Sequence, residues 1–180
     1  LCGRCIRVCD EVRGAGAIAF VYRSGRTLPG TTFGRPLRES GCQFCGACVD
    51  ICPTAALADR ANKWEGLAER KVVTTCPYCG VGCQLELEIK RDRIIRVSPK
   101  RDGVVNEGQA CVKGRFGIVE FVHHRDRLKE PLIKKDGEFI ESTWDEALDF
   151  VASKLGSYKP GEVAVISSAK CTNEENYIAQ

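Results

Sequence analysis

The stretch "CPYCGVGC", residues 76–83, puts Cys76, Cys79 and Cys83 three and then four positions apart. The 180-residue chain holds 12 cysteines and only 2 histidines, which raises the question of where a fourth thiol lies. A chain of this length can bury a real core in one or two domains. With 43% hydrophobic and 28% charged residues it reads as globular and not disordered. Its longest apolar runs, such as "GAGAIAFVY", are far too short to span a bilayer. No secretory signal stands at the start. The chain begins at Leu1 and contains no Met, which is expected of a piece of a longer polypeptide.

Cysteine spacing separates three uses. Disulfide scaffolds are usually shorter and lack tight CxxCxxC runs. Structural zinc sites usually present two separated ligand pairs, often with His. Here Cys42, Cys45, Cys48 and Cys52, followed by Pro53, give "CQFCGACVDICP", the C-x2-C-x2-C-x3-C-P run of bacterial ferredoxins. Three thiols on one loop can each reach a different iron of a cubane, while the fourth points to a second cluster. Gly46 lets the backbone curl close. At the N-terminus, "LCGRCIRVC" supplies Cys2, Cys5 and Cys9, the last three members of a second such run, whose first member would precede Leu1. The swapped-fourth-ligand rule then groups Cys42, Cys45, Cys48 and Cys9 as one site, and Cys2, Cys5 and Cys52 as most of another. Between the runs, a Gly- and Pro-containing loop holds one expected strand, "AIAFVY".

The opening stretch finds its fourth thiol in "GQACVKGRFG", at Cys111. In between, "LELEI" alternates apolar and charged residues, "KRD" turns and "RIIRV" resumes a strand. A hairpin is expected, and it returns Cys111 towards Cys76, Cys79 and Cys83. The competing reading of these four thiols is a zinc site. Two adjacent cubane-type runs make a third [4Fe-4S] cluster the more economical one.

These residues resemble a known family. "CPYCGVGC" with "GQACVKGRFG" is similar to the N-terminal cluster domain of the molybdenum or tungsten bis-pterin oxidoreductases, most of all to formate dehydrogenase alpha subunits. "STWDEAL" (142–148) and "SSAKCTNEENY" (167–177) extend the resemblance. The double ferredoxin run resembles the soluble multi-cluster formate dehydrogenases. Nitrate reductases and the large iron–sulfur subunit of respiratory complex I share parts of this layout, as do hydrogenase-linked cluster subunits. The resemblance implies an α+β chain. A two-cluster ferredoxin-like domain spans 1–58, a linker 59–71, a small β-rich [4Fe-4S] domain 72–127 and the start of an α/β molybdopterin domain 128–180. It implies three [4Fe-4S] clusters, and in the full-length protein a Mo- or W-bis(molybdopterin guanine dinucleotide) that oxidises formate. Electrons would pass to NAD(P), ferredoxin or a partner subunit, in the cytoplasm. The family carries the metal's Cys or selenocysteine ligand, with its His and Arg, downstream of "NEENY", so this chain alone is expected not to oxidise formate. The lysine matching Lys113 lies between cluster and pterin in the family, implying an electron relay and pterin contact.

The remaining segments complete the reading. "DRANKWEGLAERK" (59–71) is a charged linker expected to be partly helical. Thr143 with Glu146, and Thr172 with Glu175, can form capping boxes. Trp144, Ala147, Leu148, Val151 and Leu155 share one helical face. "EVAVISSA" reads as a buried strand and Cys171 as a buried structural thiol at its end. His123 and His124 read as surface or packing residues, and "HHRDRLKE" as a solvated face. The formal charge of +3 counts every thiol as neutral. With three cluster cores of about +2 each and 11 thiolates, the loaded chain comes to about −2, which leaves no case for nucleic acid.

Overall fold

The pattern Cys-Gly-x-Cys occurs twice near the N-terminus, and each copy starts a one-turn helix in the computed structural model, which describes residues 1–180. Helix α1 (Arg4–Arg7) follows Gly3 and helix α2 (Ala47–Asp50) follows Gly46. Both glycines stand in the left-handed region, at φ +68° and +75°, where a side chain is disfavoured. Space is closed as well: a Cβ at Gly46 would come within 2.8 Å of Arg115 Nε. Beyond α1 a π-type turn, Val8–Val12, carries Cys9, and α1 and α2 pack on one another. The strand expected over "AIAFVY" shortens to β1 (Ala19–Val21), paired antiparallel with β2 (Leu28–Gly30). Tyr22 and Ser24 adopt positive φ and end it.

The expected hairpin forms from strands that begin beside the third cysteine run. Preceding it, β3 (Arg70–Thr75) lies antiparallel to β4 (Gln84–Lys90), which pairs in turn with β5 (Arg93–Pro99). Arg91 and Asp92 both take positive φ, the primed turn that matches strand twist. Alternation sends Leu85, Leu87 and Ile89 to one face and Glu86 and Glu88 to the other, where Lys71 Nζ reaches Glu86 at 2.6 Å. Fully buried Leu85 and Val97 centre a core with Cys76, Ala110 and Ile118. Ile118 opens helix α3 (Ile118–His123). The linker expectation needs correcting. Residues 60–64 are turns and not helix, nucleated by Asp59, whose carboxylate accepts from Ala61 N and Asn62 Nδ2. Arg70 and Lys71 already belong to β3, because Val72 and Val73 extend the pairing surface of β4.

Residues His123–Gln180 make up a second unit, distinct from Leu1–Val122. Strands β6 (Leu132–Lys135) and β7 (Glu138–Glu141) form a hairpin around Asp136-Gly137, a turn dipeptide suited to positive φ. Helices α4 (Trp144–Gly156) and α5 (Asn173–Ile178) both start at the expected capping boxes, on Thr143 and Thr172. The apolar face expected on α4 is there, but Trp144, Leu148, Val151 and Leu155 are exposed, with only Ala147 half-buried. The expected buried strand fails. "EVAVISSA" forms no strand, and Ile166 is 98% exposed, because a strand needs a neighbour to take its hydrogen bonds and none lies beside it. Cys171 accordingly sits half-buried in a turn, its N–H donating to Ser168 O at 3.0 Å. No helix is long and apolar enough to cross a membrane.

Two substitutions separate the built core from the helix that only its cap secures. Leu85→Ala should destabilise the first unit by about 2–5 kcal/mol, read as a lowered urea midpoint. Thr143→Ala should cost about 1 kcal/mol, read as faster amide exchange across 144–156 with the first unit unchanged.

Candidate metal centres

Four thiols converge where β4 begins. Cys76 N–H donates to Cys83 O at 2.8 Å, closing the "CPYCGVGC" loop on itself, and Gly82 turns it at φ +67°. The return of Cys111 depends on Asn106. Its Oδ1 accepts from Gln84 N at 2.8 Å, and its Nδ2 donates to Gln84 O at 3.2 Å and to Gln109 O at 2.7 Å. Lys100 N–H adds a bond to Gln84 O at 2.9 Å. The loop after β5 is thereby pinned to the residue following Cys83. Burial pushes the Cys83 thiol up, and the neighbouring charges of Cys76, Cys79 and Cys111 add to that. Burial likewise raises Cys76, with Cys111 and Cys79 contributing. Gly114 keeps the approach open: a Cβ there would stand 3.4 Å from Cys76 Sγ.

A second set gathers on α2. Cys48 is pushed up to about 11, by burial first and then by Cys45, Cys9 and Cys42. Cys9 therefore lies within electrostatic reach of the run that starts 33 residues later. Phe44 N–H points at Cys42 Sγ, 3.4 Å away. Cys52 differs. The backbone N–H of Leu57 first, then that of Thr54, hold its thiol down at about 7, with smaller help from the Thr54 hydroxyl and Ala56 N–H. Neither Cys2 nor Cys5 is among the groups that act on it. Cys5 is buried and Cys2 exposed, its carbonyl accepting from Arg7 Nη2 at 3.1 Å.

The donor chemistry and spacing fit clusters better than single ions. All 12 cysteines are free thiols, and Cys42, Cys45, Cys48 and Cys52 keep the spacing of a ferredoxin run. A zinc ion draws its thiolates to about 2.3 Å, whereas a cubane offers each thiolate its own iron. Backbone N–H groups aimed at sulfur are what a cluster's thiolates and sulfides accept from.

Lys113 and Arg115 share one π-type turn, Lys113–Gly117, directly after Cys111. Lys113 is exposed. Arg115 is 3% exposed and is the one buried charged side chain of the protein. Its Nη1 donates to Val97 O at 2.8 Å and its Nη2 to Asp50 Oδ1 at 2.5 Å. Burial raises the Asp50 carboxyl, while Arg115 pulls it down. Sequence reading misses both Asn106 and Arg115. The partners of Arg115 lie 18 and 65 residues away, beyond any local pattern. His124 is exposed and its Nδ1 accepts from Asp126 N–H at 3.2 Å.

Three segments of the chain match known domains. Residues 1–56 match the 4Fe-4S dicluster domain, 69–124 the molybdopterin oxidoreductase Fe4S4 domain, and 127–180 the molybdopterin oxidoreductase domain. The chain is 54% identical over 115 residues, 63% of its length, to the F420-dependent formate dehydrogenase 2 subunit alpha of Methanococcus maripaludis. It is 38% identical, over 98% of its length, to a subunit of an NADH-quinone oxidoreductase of Rhizobium meliloti. A third relative, the NADPH-Fe(3+) oxidoreductase subunit alpha of Geobacter sulfurreducens, is 36% identical over 100% of the chain. The chain spans 17%, 20% and 21% of these relatives' own lengths. Its iron–sulfur and molybdopterin domains, in this order, place it in the molybdopterin oxidoreductase family, among whose members are formate dehydrogenase alpha subunits.

Proposed function

We propose that this chain is the electron-transferring N-terminal part of a formate dehydrogenase catalytic subunit. The observation that carries the reading is the convergence of Cys76, Cys79, Cys83 and Cys111, with Lys113 exposed two residues further on. The similarity to a formate dehydrogenase alpha subunit supports the choice of substrate. In this reading residues 1–58 hold two [4Fe-4S] clusters, 59–69 connect, 70–127 hold a third from strand β3 onward, and 128–180 begin the domain for a Mo- or W-bis-pterin. Cys42, Cys45, Cys48 and Cys9 bind one cluster. Cys2, Cys5 and Cys52 bind another together with a ligand from elsewhere. Each cluster would supply reversible one-electron uptake.

The chain's own residues set the conditions for that chemistry. Thiols raised by burial and by one another hold their protons in the empty chain and would release them to solvent when a multiply charged cation core takes the thiolates. Cys52, with its N–H donors, is ready as a thiolate near neutrality. Lys113, on the turn after Cys111, offers three donors and a compact positive charge to a pterin docked beside the loop. An acceptor subunit or a ferredoxin- or NAD(P)-reducing partner takes the electrons at the dicluster end.

A second reading rests on the Rhizobium relative, which matches nearly the whole chain: a cluster subunit of a pyridine-nucleotide oxidoreductase with no formate chemistry. The full-length protein, isolated anaerobically, distinguishes the two. Bound Mo or W together with formate-dependent dye reduction is expected; clusters without either would leave the second reading standing.

Cys45→Ser should remove one cluster and leave the Cys76–Cys111 cluster intact, measured as iron and acid-labile sulfide per chain. Loss of every cluster together, or zinc in their place, would contradict separate sites. Lys113→Ala in the full-length enzyme should keep its iron and its Mo or W yet lose most turnover with an electron acceptor. Lys113→Arg should rescue only in part, since a planar fork does not replace a compact ammonium. Isotope exchange into formate, which needs no electron exit, should suffer less.

A further inference from the structure

Two arginines join the cysteine loops that the proposed function reads as two separate cluster sites. Arg115 stands four residues after Cys111, and its N–H donates to Cys111 O at 3.0 Å. Its guanidinium crosses to Asp50, between Cys48 and Cys52, at 2.5 Å. On the way it lies against Gly46, between Cys45 and Cys48. Arg13 repeats the crossing from the other side. It stands four residues after Cys9, and its Nη2 donates to Gln43 Oε1 at 3.2 Å, between Cys42 and Cys45. Its Nη1 lies 3.5 Å from Gln109 Oε1, two residues before Cys111. Arg13 is half-buried, and its Nε is covered with no partner.

We propose that Arg115, seconded by Arg13, is a positioning residue that clamps the Cys9/Cys42/Cys45/Cys48 loop against the Cys111 loop, fixing the spacing and orientation of the two thiol sets and making them the adjacent pair in the chain of centres. The inference rests on the cluster reading above and adds which two sets neighbour each other and what holds them. The side-chain hydrogen bonds of Arg115 go to Asp50 on the loop of Cys45 and Cys48 and to Val97 O on core strand β5. A guanidinium is the side chain this task requires. It is permanently charged, and its rigid fork sends one N–H to Val97 O and another to Asp50 at once, which one ammonium on a flexible stem cannot reproduce. Asp50 in turn balances the buried charge, so the clamp adds little net field at either site while it is whole.

Arg115→Lys, Asp50→Asn, Arg115→Met and the double variant Arg115→Met/Asp50→Asn test this in the full-length protein. Iron and sulfide are counted, and the fully reduced protein is examined by EPR for dipolar splitting between cluster signals and by redox titration. Wild type should show two mutually split cluster signals; a protein without iron and sulfide would remove the cluster reading and this proposal with it, whereas full iron with unsplit signals would overturn the adjacency alone. Arg115→Lys should keep its iron and its reduction potentials but lose or alter the splitting, because charge is retained and the two-point grip is not. Arg115→Met should shift the Cys42-loop cluster to lower potential, since a positive charge is gone and Asp50 is left. Asp50→Asn should shift it upward, and the double variant should return towards wild type in potential without regaining the splitting. Unchanged splitting in Arg115→Lys and in the double variant, with iron intact, would overturn the clamp and leave the cluster assignment standing. If Arg115→Met loses iron, the test rests on Arg115→Lys and Asp50→Asn, in which unchanged splitting and potentials likewise overturn the clamp.

Discussion

Thiolates repel one another, and this chain brings them together anyway. In the set around Cys48, burial and three neighbouring cysteines push the thiol up to about 11, and the set around Cys83 is raised by the same two causes. A cluster-free chain relieves the conflict by keeping these thiols protonated. A cation core relieves it by accepting the thiolates, and the coupling between metal and fold follows from that choice. Everything else in the first unit serves to hold the sets at their separation: the glycine turns before α1 and α2, the pinning of the 100–110 loop by Asn106, and the sheet whose buried Leu85 and Val97 back the Cys76 loop.

How much of this the sequence discloses depends on the range of the interaction. Cysteine spacing is local, so the runs themselves could be read directly. The β4–β5 hairpin and both capping boxes are equally local and formed as read. The β6–β7 hairpin has a local signal too, Asp136-Gly137 between two apolar runs, which the sequence reading passes over. The first two residues of β3, Arg70 and Lys71, were hidden at the end of what looked like a charged linker, since Lys71 finds its place only through Glu86, 15 residues away. Amphipathic periodicity correctly gave helix α4 but not the burial of its face. Periodicity specifies which side seeks cover, and supplies no cover.

The contrast between Lys113 and Arg115 shows what one turn can do with two cations. Both follow Cys111 within four residues. The wide turn that holds them leaves Lys113 in solvent and drives Arg115 inward until it is 3% exposed. A buried ion pair of this kind is seldom a net source of stability, because desolvation offsets most of the attraction, whereas breaking it by removing one partner costs about 3–5 kcal/mol. An apolar pair of similar volume could pack the same space. What an apolar pair lacks is direction. The guanidinium accepts only geometries in which Val97 O and Asp50 lie at both ends of its fork, so it selects a single orientation of the α2 loop on the sheet.

That selectivity bears on why the dicluster segment and the β-rich segment pack as one unit, Leu1–Val122, when each carries its own cysteine run. Two domains joined only by residues 59–69 would be free to swing, since that stretch is turns and irregular chain. An interface between such domains is usually polar and permits motion. Here the interface is polar as well, yet its central charge is desolvated and matched, and a desolvated matched charge tolerates little displacement before it is left unpaired. In the proposed function electrons cross from one thiol set to the other, and there a fixed separation counts for more than binding strength. A buried arginine flanked by two cysteine loops supplies the fixed separation at the point where the chain offers no covalent substitute.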